Sequence, residues 1–272
     1  MKIIVCIKQV PEVTEVKIDS KTNTLIRDGV PSIVNPFDEI AVEEAVRIKE
    51  KHGGEVTVIT MGPPQARQAL MKCLAMGADK GILLTDRAFA GSDTWATSFT
   101  LAQVIKKMEY DLILCGTRAI DGDTAQVGPE LAENLGVTPI TYVKKVEIDE
   151  ERKRVTVHRE TEEGYEIIEC RLPVLLTAIK GLNEPRIPAL REIMLAKKKE
   201  IKELTLADIG GDPQSYGLKG SFTEVVKIFT PKQRGGGVII REEVPEASAK
   251  KLAQLLLEEP IIKSLKGRMN RK

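Results

Sequence analysis

The residues whose types and spacing best suit chemistry lie between Asp111 and Gly136, in the run DLILCGTRAIDGDTAQVGPELAENLG. An apolar stretch is followed by a loop of small and acidic residues. Gly128-Pro129 then opens a helical pattern that Gly136 closes. Proline suits the first helical position because its missing N–H has no intrahelical partner there, and glycine suits the position just past the end. The run therefore predicts a strand, a loop and a helix.

The loop of this run has the features of an anion site. Backbone N–H groups from Thr124 to Gly128 are flanked by small side chains. Successive N–H groups at a strand-to-helix turn attract anions, and the helix dipole adds to the attraction. Our first hypothesis is that the loop binds the phosphates of a nucleotide. An ordinary loop of an α/β protein remains the alternative, because the run contains neither G-x-G-x-x-G nor the Lys-[Ser/Thr] of a P-loop.

Two carboxylates in the loop, Asp121 and Asp123, would repel a phosphate. They are better suited to capping the N–H groups of the loop itself or to accepting hydrogen bonds from ribose hydroxyls.

The composition is that of a globular protein. With 272 residues, 42% apolar and 30% charged, the chain can form one large α/β domain or one domain with a substantial appendage. Lys and Arg (41) balance Asp and Glu (40), so the charge gives no reason to expect a nucleic-acid partner. Aromatic residues make up 4%, which also disfavours a base-stacking surface.

Cysteines and histidines point away from metal or hydrolytic chemistry. The four cysteines are far apart in apolar contexts and form no C-x-x-C, so we expect free thiols in a reducing compartment. They are Cys6, Cys73, Cys115 and Cys170. His52 precedes a predicted helix end and His158 lies in a strand-like run, positions that suit structural roles. We therefore expect no catalytic side chain and assign any chemistry to a bound cofactor.

The chain begins directly with the strand-like run MKIIVCIK, and no apolar run approaches the roughly 18 residues of a membrane span. We expect a cytoplasmic protein without direct membrane insertion; association with a membrane through a partner complex is the alternative.

The first half alternates apolar runs with helical patterns, which predicts parallel βαβ units. A helix is expected to start near Glu39, after NPFD, and another is expected to use Ser92 as its N-cap. A small hairpin is also predicted, pairing residues 16–18 with residues 25–27. The predicted strands are 2–7, 55–60, 80–84 and 112–115.

Four such units predict a doubly wound parallel sheet, of the Rossmann-like type that binds adenine nucleotides. Ligands bind such sheets beyond the carboxyl ends of the strands. The residues expected to line that crevice come from the strand ends and from the loop. They are Cys6, Lys8, Asn35, Met61, Gly62, Cys115, Gly116, Asp121, Gly122, Asp123, Thr124, Ala125, Gln126, Val127 and Gly128.

After the loop the pattern changes. Alternating runs at about 142–171 predict an antiparallel meander, and 174–179 could rejoin the main sheet. We place a domain boundary there, with a nucleotide-binding domain at 1–180 and an arm at 181–272 that ends in a short helix. The arm has few apolar runs over 205–245, so we expect it to dock on a partner subunit; folding back on its own domain is the alternative.

Five ordered segments together resemble one family. They are VCIKQVP, NPFDEIAVEEAVRIKE, ALMKCLAMGADKGILL, AIDGDTAQVGPELAE and LNEPRIPALREIMLAKKK. Across essentially its whole length the chain resembles the beta (small) subunit of an electron-transfer flavoprotein. The resemblance implies a complex with an alpha subunit that carries its own FAD.

In that family the beta subunit holds AMP or, in electron-bifurcating members, a second FAD, with phosphates on the loop matching 121–128. The AMP type more often reads AIDDDxNQTG. This chain departs from it at Gly122, Thr124, Ala125 and Val127, and is similar to the bifurcating type. We therefore expect FAD rather than AMP and NADH as donor. The expected acceptors are a low-potential one such as ferredoxin and a high-potential one, towards quinone or an acyl-CoA dehydrogenase-type partner.

The family's loop for recognising redox partners maps onto Pro185, Arg186, Leu190, Ile193 and Met194. Leu190 matches a protruding leucine that inserts into the partner; the alternative is that it is the first core residue of a helix. Two further functions remain open: a one-flavin shuttle subunit with structural AMP, and a nucleotide-binding sensor without a redox role.

Overall fold

The computed structural model describes residues 1–12, 18–19, 24–25, 31–151, 153–226 and 237–258. Its strands are β1 (Lys2–Cys6), β2 (Gln9–Pro11), β3 (Ile18–Asp19), β4 (Thr24–Leu25), β5 (Ser32–Val34), β6 (Glu55–Met61), β7 (Lys80–Leu84), β8 (Leu112–Gly116), β9 (Thr138–Asp149), β10 (Arg154–Thr161), β11 (Gly164–Arg171), β12 (Val174–Ala178) and β13 (Ile201–Leu204). Its α-helices are α1 (Pro36–His52), α2 (Arg67–Met76), α3 (Thr94–Ile105), α4 (Val127–Leu135), α5 (Leu190–Ala196), α6 (Leu206–Ile209), α7 (Gly217–Gly220) and α8 (Pro245–Glu258).

A nine-stranded sheet has the order β11-β10-β9-β12-β8-β1-β6-β7-β13. The strands from β12 to β13 in that order pair in parallel, whereas β9, β10 and β11 form an antiparallel meander. The predicted doubly wound sheet with an antiparallel extension is therefore confirmed. The chain first builds outward from β1 to β6 and β7 and then crosses to β8 on the other side, so the switch point lies between β1 and β8.

Both faces of the parallel strands are buried, which explains their continuous apolar runs. In β1, Ile3 and Val5 face one core with α1 and α2, and Ile4 and Cys6 face a second core with α3 and α4. The side chains of α1 that meet the first core include Ala41, at 0% exposure.

Helix starts differ from the expectations. Helix α1 begins at Pro36, with Asn35 in the N-cap position, because proline fits a first turn that needs no N–H donor. In α4, Val127 occupies the first position and Pro129 therefore stands third.

The N-cap of α3 is Asp93 rather than Ser92. The Asp93 carboxylate accepts a hydrogen bond of 2.9 Å from the N–H of Ala96, as an N-cap side chain does. The Ser92 hydroxyl instead donates to the carbonyl of Phe89.

The first compact unit comprises Met1–Ile228 and so continues past residue 180, where we expected a boundary. The reason is β13, which adds a parallel strand beside β7. The N–H of Gly81 donates to the carbonyl of Glu200 at 3.0 Å, which ties the chain to the sheet just before β13 begins.

The second unit comprises Phe229–Lys272, and its described part contains α8. Across the described ranges, no helix has both the length and the apolar character needed to cross a membrane. In the predicted hairpin, Ile18 pairs with Leu25. The remaining hairpin residues lie outside the described residues; they are Val16, Lys17, Ile26 and Arg27.

A substitution at Gly77 tests how tightly α2 packs against α1. It ends α2 at φ +127°, and an added Cβ would lie 2.8 Å from Cγ1 of Val46. We expect Gly77→Ala to lower the free energy of unfolding by about 2–4 kcal/mol, because a forced positive φ and overpacking each cost about 1–3 kcal/mol.

Gly136→Ala is the matched control in urea unfolding. Gly136 ends α4 at φ +69°, but its Cβ would meet no described atom within 4 Å. We expect a loss of about 1–2 kcal/mol there, from the backbone alone. Equal losses in the two variants would contradict the packing argument.

Candidate functional site

The carboxyl ends of β1 and β8 flank the switch point, and the carboxyl end of β6 lies next to that of β1. Cys6 pairs with Ile59 of β6 on one side and with Cys115 of β8 on the other. Lys8 and Gly116 follow at the same edge of the sheet. The structure therefore brings the ends of the predicted lining strands together.

Met61 is the last residue of β6 and Gly62 follows it, so both lie at the carboxyl end of this strand as expected. The N–H of Gly62 donates to the carbonyl of Leu84 at the end of β7. Met61 packs partly against the second core. The two residues thus lie one strand away from the switch point.

Asn35 holds the loop that follows β8. It is 1% exposed, its Nδ2 donates to the carbonyl of Arg118 at 2.9 Å, and its Oδ1 accepts from the N–H of Ile120 at 3.2 Å. Its own N–H donates to the carbonyl of Lys8. A buried amide needs such partners, and here they connect the end of β1 to the loop after β8.

Asp38 is a central residue that sequence reasoning missed. Its Oδ2 accepts from the N–H of Lys8 at 2.7 Å, and its Oδ1 accepts from the N–H of Gly116 at 3.1 Å. One carboxyl group therefore joins the ends of the two strands on either side of the switch point. An added Cβ at Gly116 would lie 2.2 Å from Asp38 Oδ1, so only glycine permits this approach.

A signal for Asp38 was present in the sequence. Our prediction placed Asp38 in the NPFD stop before the helix, but its spacing to Ala41, Val42 and Ala45 is that of an inward-facing helix position. Those three side chains are all buried.

Burial raises the pKa of Asp38 from 3.8 to about 7. Hydrogen bonds from the Asn35 side chain and from the N–H groups of Lys8 and Gly116 act in the opposite direction, as does the positive charge of Lys8, but they do not outweigh burial. The carboxyl group therefore changes its charge close to neutral pH.

The two acidic residues of the loop do not cap its N–H groups, which was one of our expectations. The Oδ1 of Asp121 lies 2.8 Å from Nζ of Lys8, and the Oδ1 of Asp123 lies 3.2 Å from Nη1 of Arg118. The Lys8–Asp121 pair spans the crevice from the end of β1 to the loop.

The loop backbone is strained where it faces the crevice. Asp123 and Ala125 have φ values of 54° and 56°, in the left-handed region that costs residues other than glycine roughly 1–2 kcal/mol each. Alternating left-handed residues direct neighbouring N–H groups towards one side and form an anion-binding concavity. Within the described residues, the N–H groups of Thr124, Ala125 and Gln126 have no protein acceptor. This geometry fits a phosphate.

Gly128 brings the start of α4 directly onto the sheet. An added Cβ there would lie 2.7 Å from Cγ2 of Thr177 and 3.9 Å from Cβ of Cys115. Val127 is half-buried against the same second core. At Gly122 an added Cβ would meet no described atom within 4 Å, which leaves room beside the loop for a ligand.

Cys6 and Cys115 form a floor beneath the loop rather than an open wall. They are 7% and 5% exposed. The hydrogen bond with the Cys6 thiol and then burial raise the pKa of Cys115, so this thiol stays neutral. Within the described ranges, no group of three or more His, Cys, Asp or Glu is arranged to hold a metal ion.

A second surface carries the residues expected to recognise a partner. Leu190 is the first residue of α5 and is 76% exposed, so the alternative that it is a core residue is wrong. Ile193 and Met194 are also exposed. Ile187, at 94% exposure, was missed, although an apolar residue between two prolines was a visible signal.

Pro185 and Arg186, which were also expected to recognise a partner, are less exposed than these apolar residues. Pro185 is half-buried, and the Arg186 guanidinium binds Glu43 and Glu50 of α1. Arg186 therefore faces the body of the protein.

Comparison with known proteins gives consistent matches. Residues 22–209 match the family described as the Electron transfer flavoprotein domain. The Electron transfer flavoprotein subunit beta of Thermoanaerobacterium thermosaccharolyticum is 56% identical over 248 residues, covering 91% of this chain and 95% of the relative. The Caffeyl-CoA reductase-Etf complex subunit CarD of Acetobacterium woodii is 51% identical over 264 residues, covering 96% and 100%. Protein FixA of Azotobacter vinelandii is 48% identical over 240 residues, covering 86% and 85%.

The pKa of Asp38 makes a prediction about stability and pH. Between about pH 4 and 7 the folded chain holds a proton on Asp38 that the unfolded chain has lost, so this residue lowers stability progressively as pH rises through that window. The free energy of unfolding of wild type minus that of Asp38→Asn should therefore fall by up to roughly 1.4 kcal/mol per pH unit and level off above pH 7.

Urea unfolding at several pH values measures this difference. Asp111→Asn is the control, because the Asp111 carboxylate accepts from the N–H of Lys2 at the opposite end of the same two strands. The pH dependence measured for Asp38→Asn is compared with that measured for Asp111→Asn. A pH-independent difference for Asp38→Asn would contradict the prediction.

Proposed function

The chain belongs to the electron transfer flavoprotein family, and from that premise we propose that it is the beta subunit of a bifurcating heterodimer. This heterodimer takes electrons from NADH and divides them between a high-potential and a low-potential acceptor. The observation that carries the proposal is the form of the loop, in which Gly122, Ala125 and Val127 depart from the AMP-binding pattern.

We propose that the crevice binds FAD, with its phosphates on the N–H groups of residues 124–128. The strained backbone at Asp123 and Ala125 and the open space beside Gly122 support this assignment. Lys8 adds a positive charge at the same edge, although Asp121 neutralises part of it. The same geometry fits the phosphate of AMP, and the shuttle subunit with structural AMP is the second candidate.

A flavin in this site would supply the acceptance of two electrons from NADH and their release one at a time. The side chains of this chain would hold and orient the flavin. Asn35 holds the loop in place, Asp38 fixes the two strand ends, and the buried thiols of Cys6 and Cys115 give the crevice a floor that excludes water. None of these groups needs to act as an acid or base towards the substrate.

The proposed partners are the alpha subunit with its own FAD, a low-potential acceptor such as ferredoxin, and a high-potential acceptor of the acyl-CoA dehydrogenase type or a quinone oxidoreductase. The name of the Acetobacterium relative places that protein in a complex with a reductase, which supports a multi-subunit assembly here. Leu190, Ile193 and Met194 give an exposed apolar surface for a redox partner. We place this assembly in the cytoplasm.

Exposed apolar residues also support docking of the arm on the alpha subunit. Phe222 is 80% exposed although its ring lies against Trp95, and Val225 and Val226 are 75% and 89% exposed. Three apolar side chains this exposed within five residues are expected to be covered in a complex.

Cofactor stoichiometry tests the proposal. The chain is co-expressed with its alpha subunit, the purified heterodimer is denatured, and released FAD and AMP are quantified by chromatography. We expect two FAD and no AMP per heterodimer, because the loop has room for the larger ligand. The alpha subunit expressed by itself is the control and should release one FAD. One FAD with one AMP would overturn the bifurcating assignment and support the shuttle.

Leu190→Ala tests the partner surface. We expect about a tenfold lower kcat/KM with an acyl-CoA dehydrogenase as acceptor, because a protruding apolar side chain at an interface contributes about 1–2 kcal/mol or more. The rate with the small dye dichlorophenolindophenol should stay unchanged. Leu195→Ala is the control on the same helix, where Leu195 is 40% exposed. A wild-type rate with every protein acceptor for Leu190→Ala would remove Leu190 from the proposed surface.

A further inference from the structure

The loop of residues 183–189, called the anchored loop below, leads from β12 to the exposed start of α5. Side chains hold it to the body of the protein. Asn183 Nδ2 donates to the carbonyl of Ile40 at 3.1 Å and to the Glu44 carboxylate at 2.9 Å. Nη2 of Arg47 donates to the carbonyl of Glu184 at 3.2 Å. All these partners lie on α1.

Arg186 makes the strongest of these attachments. Its Nε and Nη2 donate to the two carboxylate oxygens of Glu43 at 2.8 and 3.1 Å, and its backbone N–H donates to Glu43 Oε2 at 3.1 Å. Its Nη1 and Nη2 also donate to the two oxygens of Glu50 at 2.5 and 3.0 Å. A guanidinium held by two bidentate carboxylates has a fixed position and orientation.

Glu43 is a buried charge that depends on this pairing. It is 2% exposed, and a buried carboxylate is costly unless it is paired and hydrogen-bonded. Burial by itself raises the pKa of Glu43, but hydrogen bonds from Arg186 and Arg47 outweigh it and hold the pKa below its usual value. The carboxylate therefore stays charged at neutral pH and keeps its hold on Arg186.

The anchor determines where the apolar side chains of the partner surface lie. Ile187 follows Arg186 directly and is 94% exposed, and Leu190 is three residues further on. Pro185 and Pro188 restrict the backbone between them. Once Arg186 is held on α1, the positions open to Ile187 and Leu190 are few.

The same helix also meets the crevice. Its N-cap residue Asn35 holds the loop after β8, and Asp38 in its first turn joins the strand ends. Glu43 and Glu50 follow five and twelve residues after Asp38, or about 8 and 18 Å along the helix axis. One continuous helix therefore carries both sets of contacts.

We propose that Glu43 and Glu50 are positioning residues for binding of the redox partner: through Arg186 they hold the partner surface in place on the helix that also meets the crevice. Arg186 is then an anchor, and not the partner-contacting residue that the sequence indicated. The crevice and the partner are those of the proposed function, on which this inference rests.

The test uses the heterodimer with its alpha subunit and compares wild type with Glu43→Gln and Glu50→Gln. We expect each variant to raise the KM for an acyl-CoA dehydrogenase about tenfold while kcat changes less than twofold, because the surface remains but is no longer held. Hydrogen exchange at the amide of Arg186, whose N–H donates to Glu43, should become at least tenfold faster. Flavin content and the rate with dichlorophenolindophenol should not change.

Three further variants sharpen the result. Glu39→Gln is the matched control, because Glu39 lies on α1 and pairs with Lys72 away from the anchored loop. It should behave as wild type. Arg186→Gln should reproduce the KM of Glu43→Gln, and adding Glu43→Gln to it should raise KM no further. Arg186→Lys, which keeps the charge but loses the planar fork, should give an intermediate KM.

Wild-type KM and exchange rates in both Glu43→Gln and Glu50→Gln, together with a raised KM in Leu190→Ala, would overturn the inference. Glu50→Gln keeps the test decisive if Glu43→Gln fails to fold, because Glu50 is on the exposed side of the pair. A wild-type heterodimer without a second flavin would instead count against the proposed function, and the exchange rates would still test the anchor.

Discussion

The contact on which this structure most depends is the bridge from the Asp38 carboxyl to the N–H groups of Lys8 and Gly116. These groups end two central parallel strands at the point where the sheet reverses its order, and a strand end buried under a helix needs an acceptor for its N–H. Asp38 supplies it from α1 and so determines how close the helix lies to the sheet. The absence of a side chain at Gly116 and the burial of Asn35 both follow from that distance.

This arrangement separates the rigid core of the protein from its exposed loops. Two cores, one on each face of the sheet, hold the strand ends still. The exposed segments at 121–126 and 187–194 present the backbone N–H groups and the apolar side chains that we propose as the contacts with other molecules. Function on loops carried by a fixed scaffold is common in α/β proteins. Here the N-cap residue of α1 holds one of these loops and side chains of α1 hold the other.

The parts of the fold with strong periodicity were predictable. Short apolar runs that alternate with helical patterns predicted the central strands, and the rule that ligands bind at strand ends predicted where the crevice lies. Strand β13 was missed because IKEL is short and half-exposed at a sheet edge, so its pairing with β7 leaves almost no pattern. The orientation of Arg186 towards Glu43 depends on residues 143 apart in the chain, and local spacing carries no information about it. Asp38 lay between these cases, because helical spacing placed it inward while its charge suggested the surface.

Strand β13 restricts the motion of the short helix α5. Helix α5 is held before its first residue by the anchored loop. After its last residue it is held by Lys199, whose Nζ donates to the carbonyls of Leu74 and Ala78. The pairing of β13 with β7 adds a further attachment on the same side. A short helix that is held at one end to α1 and at the other end to the sheet cannot swing by itself. If Leu190 meets a partner as proposed, we therefore expect any large displacement of Leu190 to be a rigid-body rotation of the Met1–Ile228 unit, in which the crevice and the proposed partner surface move together.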